Sequence, residues 1–163
     1  VYRLQGRQLS GIRILPICIP RGENGKEATM NSPHDDQSPR VLIIEDDPGH
    51  QILLDNLVKR AGCSCDFANN GRSGVAKACV NDYDLIFADI HMPNLDGYEV
   101  AASLRRRGIT TPMVAVTGLQ FDGVGQIALD AGYDDFLTKP IEQADVSRII
   151  RKYLRTDTAN PVL

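Results

Sequence analysis

Three apolar runs of four residues constrain this chain more than any other feature, because each is continuous and each stops on a polar residue. Val41-Leu42-Ile43-Ile44 ends on Glu45, Leu85-Ile86-Phe87-Ala88 on Asp89, and Met113-Val114-Ala115-Val116 on Thr117. An uninterrupted run of this length suits a strand covered on both faces at the centre of a parallel sheet. Between and after the runs, apolar residues recur at helical spacing: Leu54, Leu57, Val58 and Ala61; Val75, Ala78 and Cys79; Gly97, Val100, Ala101 and Leu104; Val124, Ile127, Ala128 and Ala131; and Val146, Ile149, Ile150, Tyr153 and Leu154. Two weaker strands complete the series. Cys63, Cys65 and Phe67 alternate with Ser64 and Asp66, as on a half-exposed sheet edge, and Phe136-Leu137 leads into Thr138-Lys139-Pro140. Strands alternating with helices predict an α/β domain, a parallel sheet with helices on both faces.

The punctuation agrees. Asp47 before Pro48 reads as an N-cap followed by a first-turn proline, and Gly62, Gly108 and Gly132 stand where helices stop. Asn69-Asn70-Gly71 turns the chain. Arg105, Arg106 and Arg107 crowd the end of a helix, where the dipole favours cations, and read as a solvated helix end.

A chain of 163 residues has room for one ordinary domain. Its formal net charge of -3 gives no sign of a nucleic-acid surface. Cys18, Cys63, Cys65 and Cys79 form no C-x-x-C pair and have no histidine at ligand spacing, so they read as reduced thiols of a cytoplasmic protein rather than a zinc centre. No apolar run approaches the roughly 20 residues of a membrane span. Residues 1–38 read as an N-terminal extension: Arg13 and Pro16 break its one apolar stretch, and a polar Gly-, Pro- and Ser-rich segment follows. Met30 is expected to be the natural start, the competing reading being the tail of an upstream domain. The domain proper is expected over 39–155, with 156–163 a polar tail.

The polar residues at the strand ends fall on one edge of such a sheet, where open α/β sheets bind ligands. They are Glu45 and Asp46 from the first strand, Asp89 from the third, Thr117 from the fourth and Lys139 from the fifth. Two carboxylates 4 Å apart repel by about 4 kcal/mol at an effective dielectric of 20, so the cluster calls for cations. Mg²⁺ suits oxygen ligands and binds through a few carboxylates plus phosphate oxygens. Asp89 is then placed to act as a nucleophile toward phosphorus. Lys139 would add a positive charge, Thr117 a hydroxyl donor, and Gly118 room for the phosphoryl group.

Asp89-x-x-Met92-Pro93-x-x-Asp96-Gly97 resembles the phosphoacceptor segment of response-regulator receiver domains, the modules of two-component signalling. Each hallmark of that family follows in order from about Pro39 to Leu154. The resemblance implies a flavodoxin-like, doubly wound, five-stranded parallel sheet in the order 2-1-3-4-5. It implies that Glu45 and Asp46 are the acidic Mg²⁺ pair, Asp89 the phosphorylated aspartate, Thr117 the switch hydroxyl and Lys139 the family's lysine. His91 would lend its backbone carbonyl to the metal, and Phe136 would be the aromatic switch residue, without the hydroxyl of a tyrosine. Glu45 departs mildly from an Asp. Phosphorylation would draw in Thr117, let Phe136 turn inward and alter the face formed by the fourth helix, fifth strand and fifth helix, through which a downstream protein would be contacted. Leu119, two positions beyond Thr117, is expected to slow hydrolysis of the acyl phosphate. The expected donor is a sensor histidine kinase or a histidine phosphotransfer protein, and no enzyme activity is expected beyond self-phosphorylation and self-dephosphorylation.

Other classes fit less well. A flavodoxin-type cofactor binder would need to cradle phosphate where Glu45-Asp46-Asp47 repel it. A haloacid-dehalogenase-type phosphatase needs an acid where His91 stands. A pseudo-receiver that is never phosphorylated would have little use for the acid pair and Lys139. A free-standing regulator and a piece of a hybrid kinase both stay open, since the run from Ala131 to Phe136 and Lys139-Pro140-Ile141 resemble receivers of hybrid kinases and phosphorelays.

Overall fold

A computed structural model describes residues 38–93, 96–118 and 123–154. The expectations for the N-terminal extension, Met30, Leu119 and the tail lie outside these residues. Five strands, β1 (Arg40–Ile44), β2 (Ser64–Ala68), β3 (Leu85–Asp89), β4 (Met113–Thr117) and β5 (Asp135–Thr138), alternate with α1 (Pro48–Arg60), α2 (Gly71–Val80), α3 (Gly97–Arg106), α4 (Val124–Ala131) and α5 (Gln143–Tyr153). All pairings are parallel, in the order β2-β1-β3-β4-β5. The α/β, flavodoxin-like sheet expected above is the one found. No helix among the described residues is long and apolar enough to cross a membrane.

Side chains of the central strands divide alternately between two cores, which is why their sequences are apolar throughout. Leu42, Ile44, Ile86, Ala88, Met113 and Ala115 face α2, α3 and α4, while Val41, Ile43, Leu85, Phe87, Val114 and Val116 face α1 and α5. β2 lies at the edge and is half-buried along most of its length, matching its alternating sequence. The helix starts are capped as their residues predict: Asp47 accepts from His50 N, Asn70 from Ser73 N and Asp96 from Glu99 N, with Pro48 in the first turn of α1.

Two local readings need correction. On α4, Ala128 is buried but Ile127 is exposed, so the apolar spacing put Ile127 on the wrong face. Small residues do the packing there, because the Phe136 ring already fills the space against Gly125, where an added Cβ would run into it. Arg105 is not part of a solvated helix end either. Its Nε donates to Gly132 O (2.9 Å), its Nη1 to Ile109 O (2.8 Å) and Thr111 O (3.0 Å), and its Nη2 to Asp134 Oδ2 (2.6 Å). The same Asp134 oxygen accepts from Met113 N at 2.7 Å, so one guanidinium ties the end of α3 to the start of β4 and the turn before β5. Arg106 beside it is exposed.

Removing Arg105 strips donors from three carbonyls at once. Arg105→Ala is expected to cost about 2 kcal/mol in urea unfolding, against about 0.5 kcal/mol or less for Arg106→Ala. Equal losses for the two variants would show that the network carries nothing.

Candidate functional site

The sheet's hydrogen-bond ladder runs on past the strand ends and fixes the residues that follow. Glu45 N donates to Ala68 O (3.0 Å), Ile90 N to Val116 O (2.9 Å) and Lys139 N to Thr117 O (2.7 Å). Glu45, Asp89 and Lys139 therefore project from rigid backbone at one edge. Gln51 Nε2 adds a hydrogen bond to Glu45 O at 2.6 Å, locking α1 against the end of β1.

Glu45 is only 1% exposed and Asp89 5%. Glu45 Oε1 accepts from Asp47 N (3.2 Å), and Asp89 Oδ1 accepts from His91 N (2.8 Å). Their remaining oxygens converge on one ammonium: Lys139 Nζ donates to Asp89 Oδ2 at 2.5 Å and to Glu45 Oε2 at 3.1 Å. Burial, and next the nearby Asp89 charge, push the Glu45 carboxyl up from its ordinary value. For Lys139, burial works against the charged form, but hydrogen bonds to Asp89 and Glu45 outweigh it and the ammonium is held above its ordinary value.

Asp46 is exposed and lines the same open cleft of about 360 Å³, together with His91 and Gly118. Thr117 is completely buried beneath it, joined to Lys139 through the backbone. Phe136 is one step removed, half-buried against the core and against Gly125 on α4. The structure thus brings Glu45, Asp89 and Lys139 into direct contact, sets Asp46 and His91 around the same cleft, and leaves Thr117 and Phe136 behind it. The Lys139-Pro140 peptide bond is cis.

Two residues at this edge escaped the sequence reading. His50 Nδ1 lies 3.0 Å from Lys139 Nζ. The available signal was its place three residues after the Asp47 cap, in the first turn of a helix that starts at the acidic edge. Tyr133 is buried, its hydroxyl donating to Gly97 O at 2.7 Å, and burial pushes its phenol up. Only the fold brings Tyr133 and Gly97 together, so no local pattern announces the pair.

The donor set fits a hard divalent cation. Two buried carboxylates share one ammonium and a third carboxylate, Asp46, lines the cleft, so oxygen ligands and negative charge are in excess.

Residues 41–151 match the family described as "Response regulator receiver domain". Among curated relatives, the chain is 32% identical over 141 residues to hybrid signal transduction histidine kinase L of Dictyostelium discoideum, a match spanning 78% of this chain and 8% of the relative. It is 36% identical over 118 residues to the transcriptional regulatory protein TcrA of Mycobacterium tuberculosis, spanning 71% of this chain and 46% of that one. The chain thus spans less than half the length of these curated relatives. Among solved structures, the receiver domain of sensor histidine kinase PA1611 from Pseudomonas aeruginosa PAO1 superimposes with a TM-score of 0.66 at 29% identity, covering 71% of this chain and 97% of that one. That structure is described as having a magnesium ion coordinated in the active site cleft. With matching fold, sequence and strand-end chemistry, this chain belongs to the response regulator receiver domain family of two-component signalling.

Proposed function

We propose that the chain accepts a phosphoryl group on Asp89 from a phosphohistidine donor, in a Mg²⁺-dependent reaction, and signals by a protein contact that depends on phosphorylation. The observation that carries this reading is the convergence of Asp89 Oδ2 and Glu45 Oε2 on Lys139 Nζ. That arrangement holds a nucleophilic carboxylate immobile beside a cation, at a cleft open to a donor. We assign 39–155 to this receiver unit.

Asp89 attacks phosphorus through a carboxylate oxygen. The bond formed is oxygen to phosphorus, the bond broken is the donor's phosphorus–nitrogen bond, and the imidazole nitrogen leaves with that electron pair. Lys139 would follow the charge from the carboxylate to the phosphoryl oxygens, and Thr117, buried behind the cleft, would be drawn toward them to offer its hydroxyl. Glu45, Asp46, Asp89 and the backbone carbonyl of His91 would hold Mg²⁺. When bound, it supplies charge neutralisation at the transferring phosphoryl group.

An apolar groove of about 350 Å³ beside the cleft supports a helical donor protein. Leu53 and Leu54 of α1 and Pro140 and Ile141 after β5 line it, with Leu53 40% exposed and its neighbour Ile52 63%. A helix laying apolar side chains into this groove would bring its own histidine to Asp89. For the output we assign the α4–β5–α5 face, where Phe136 lies against Gly125 and Ile127 is exposed. A second reading, a receiver segment within a longer hybrid histidine kinase, is favoured by the match to the Dictyostelium kinase and uses the same chemistry.

Incubation with acetyl phosphate and Mg²⁺, followed by intact-mass spectrometry, tests the reading. The expected result is a gain of one phosphoryl group that needs Mg²⁺ and disappears in Asp89→Asn. No gain, or a gain that survives Asp89→Asn, overturns it.

A further inference from the structure

Asp46 is exposed, and its side chain makes no hydrogen bond or ion pair with the described residues. What aims it is the backbone on either side. The Asp46 Cα joins two peptide planes, and both are held. The plane before it carries Glu45 O, which accepts from Gln51 Nε2 at 2.6 Å. The plane after it carries Asp47 N, which donates to Glu45 Oε1 at 3.2 Å. Because peptides are planar, holding both planes fixes φ and ψ of Asp46 and with them the direction of its Cα–Cβ bond. Only the first of these bonds reaches in from outside the loop. Glu45 is anchored by its own N donating to Ala68 O (3.0 Å), and Gln51 by its N donating to Asp47 O (3.0 Å) in the first turns of α1. A carbonyl can only accept, so the amide nitrogen of Gln51 is the atom that faces it.

We propose that Gln51 is a positioning residue for the reaction: by holding Glu45 O it turns the Asp46 carboxylate to the cleft, and through Asp46 it sets how tightly Mg²⁺ is held. The proposal rests on the reading of Asp46 as one of the acids that hold Mg²⁺. Gln51 is half-buried and is not among the residues that line the cleft, so it acts through Asp46 and not by touching the ion or the phosphoryl group. An aliphatic side chain at this position would serve α1 as well, since the first turns are already capped by Asp47. What it would lose is the hold on the peptide before Asp46, and an exposed carboxylate with no contact of its own would then swing out to water. Removing an outer partner that orients a ligand weakens metal binding by about 10–100-fold.

The test compares the full chain with Gln51→Met, which keeps length and helix preference and removes the donor. Amide hydrogen exchange is followed by NMR without metal, and Mg²⁺ binding by calorimetry. Without metal, exchange at Asp47 N is expected to speed up about tenfold in the variant, and exchange at Ile90 N, on the neighbouring strand end, by less than about twofold. The Kd for Mg²⁺ is expected to rise about tenfold. With Asp46→Asn in both chains, Gln51→Met should change that Kd by less than about threefold, because no carboxylate is left to aim. A general loosening of the fold would persist in that background. Thermal melts show whether the variants are folded; should Gln51→Met unfold, protection of one Gln51 Nε2 proton in the wild type supports the proposal, and free exchange of both overturns it. Unchanged exchange at Asp47, an unchanged Kd, or the same loss of affinity with and without the Asp46 carboxylate also overturns it. Faster exchange at Asp47 in a chain that binds no Mg²⁺ would remove the Mg²⁺ reading and leave Gln51 as the residue that aims Asp46.

Discussion

Lys139→Met is expected to lower stability at pH 7 and low divalent metal by about 3 kcal/mol, the range for breaking a buried ion pair by removing one partner. Its ammonium touches two carboxylates that are almost fully buried, and methionine of similar length leaves them facing each other unpaired. The deficit should depend on pH in a definite direction. Glu45 already sits above its ordinary 4.5 in the folded chain, through burial and the Asp89 charge, and losing the Lys139 hydrogen bond raises it further. A carboxyl raised on folding binds its proton more tightly in the native state, so stability grows as pH falls through the raised value toward the unfolded one. The variant should therefore recover part of its loss between pH 7 and pH 5. In the wild type, Lys139 is raised on folding, so its contribution is complete below 10.5 and is lost as pH climbs through the higher folded value. Mg²⁺ should also rescue the variant: at 100 times its Kd a ligand of the native state adds about 2.7 kcal/mol, and no ammonium competes for the carboxylates. Urea titrations at both pH values, with and without Mg²⁺, check this. A deficit independent of pH and Mg²⁺ would mean that the two carboxylates are not repelling each other.

The fold was readable because strands covered on both faces leave unbroken apolar runs, and because a polar residue at the end of each run marks the edge where the sheet meets solvent. Glu45, Asp89 and Lys139 could be brought together on that logic alone, since parallel strands put their carboxyl ends side by side. What could not be read depends on partners distant in sequence. Arg105 looks like any helix-terminal cation until Gly132, Ile109 and Thr111 present their carbonyls to it. Ile127 has the spacing of a core residue, but a neighbouring ring takes the space and the helix packs through Gly125 and Ala128 instead. His50 falls on no apolar stripe and in no short motif; its meaning comes from the angle at which α1 leaves β1 and from where Lys139 reaches.

Gly97→Ala should disturb both fold and site, although it adds a single methyl group. In sequence Gly97 reads as a small residue on the helical stripe with Val100, Ala101 and Leu104, but its constraint is spatial. A Cβ there would lie 2.5 Å from Asp89 O, 2.6 Å from Ile90 Cα and 3.0 Å from Tyr133 Oη. The first two are backbone atoms at the end of the strand that carries the proposed phosphoacceptor and of the residue just after it, so no flexible side chain can yield. The chain is pinned here by Gly97 N donating to Ile90 O (2.9 Å) and by Tyr133 Oη donating to Gly97 O (2.7 Å). Relieving the clash means lifting α3 from β3, losing these bonds, or shifting the end of β3 together with Asp89. The expected cost is about 3 kcal/mol, at the upper end for overpacking a well-filled core. Because the strain falls on the Asp89 backbone, acceptance of phosphoryl from acetyl phosphate should drop even under conditions where the variant is fully folded. Tyr133→Phe separates the two effects: it removes one hydrogen bond, costs about 1 kcal/mol, and leaves the Asp89 backbone where it is, so its acceptance should stay near that of the wild type. Should Gly97→Ala lose stability yet accept phosphoryl at the wild-type rate, the close approach of α3 to β3 would serve packing alone and have no part in aiming Asp89.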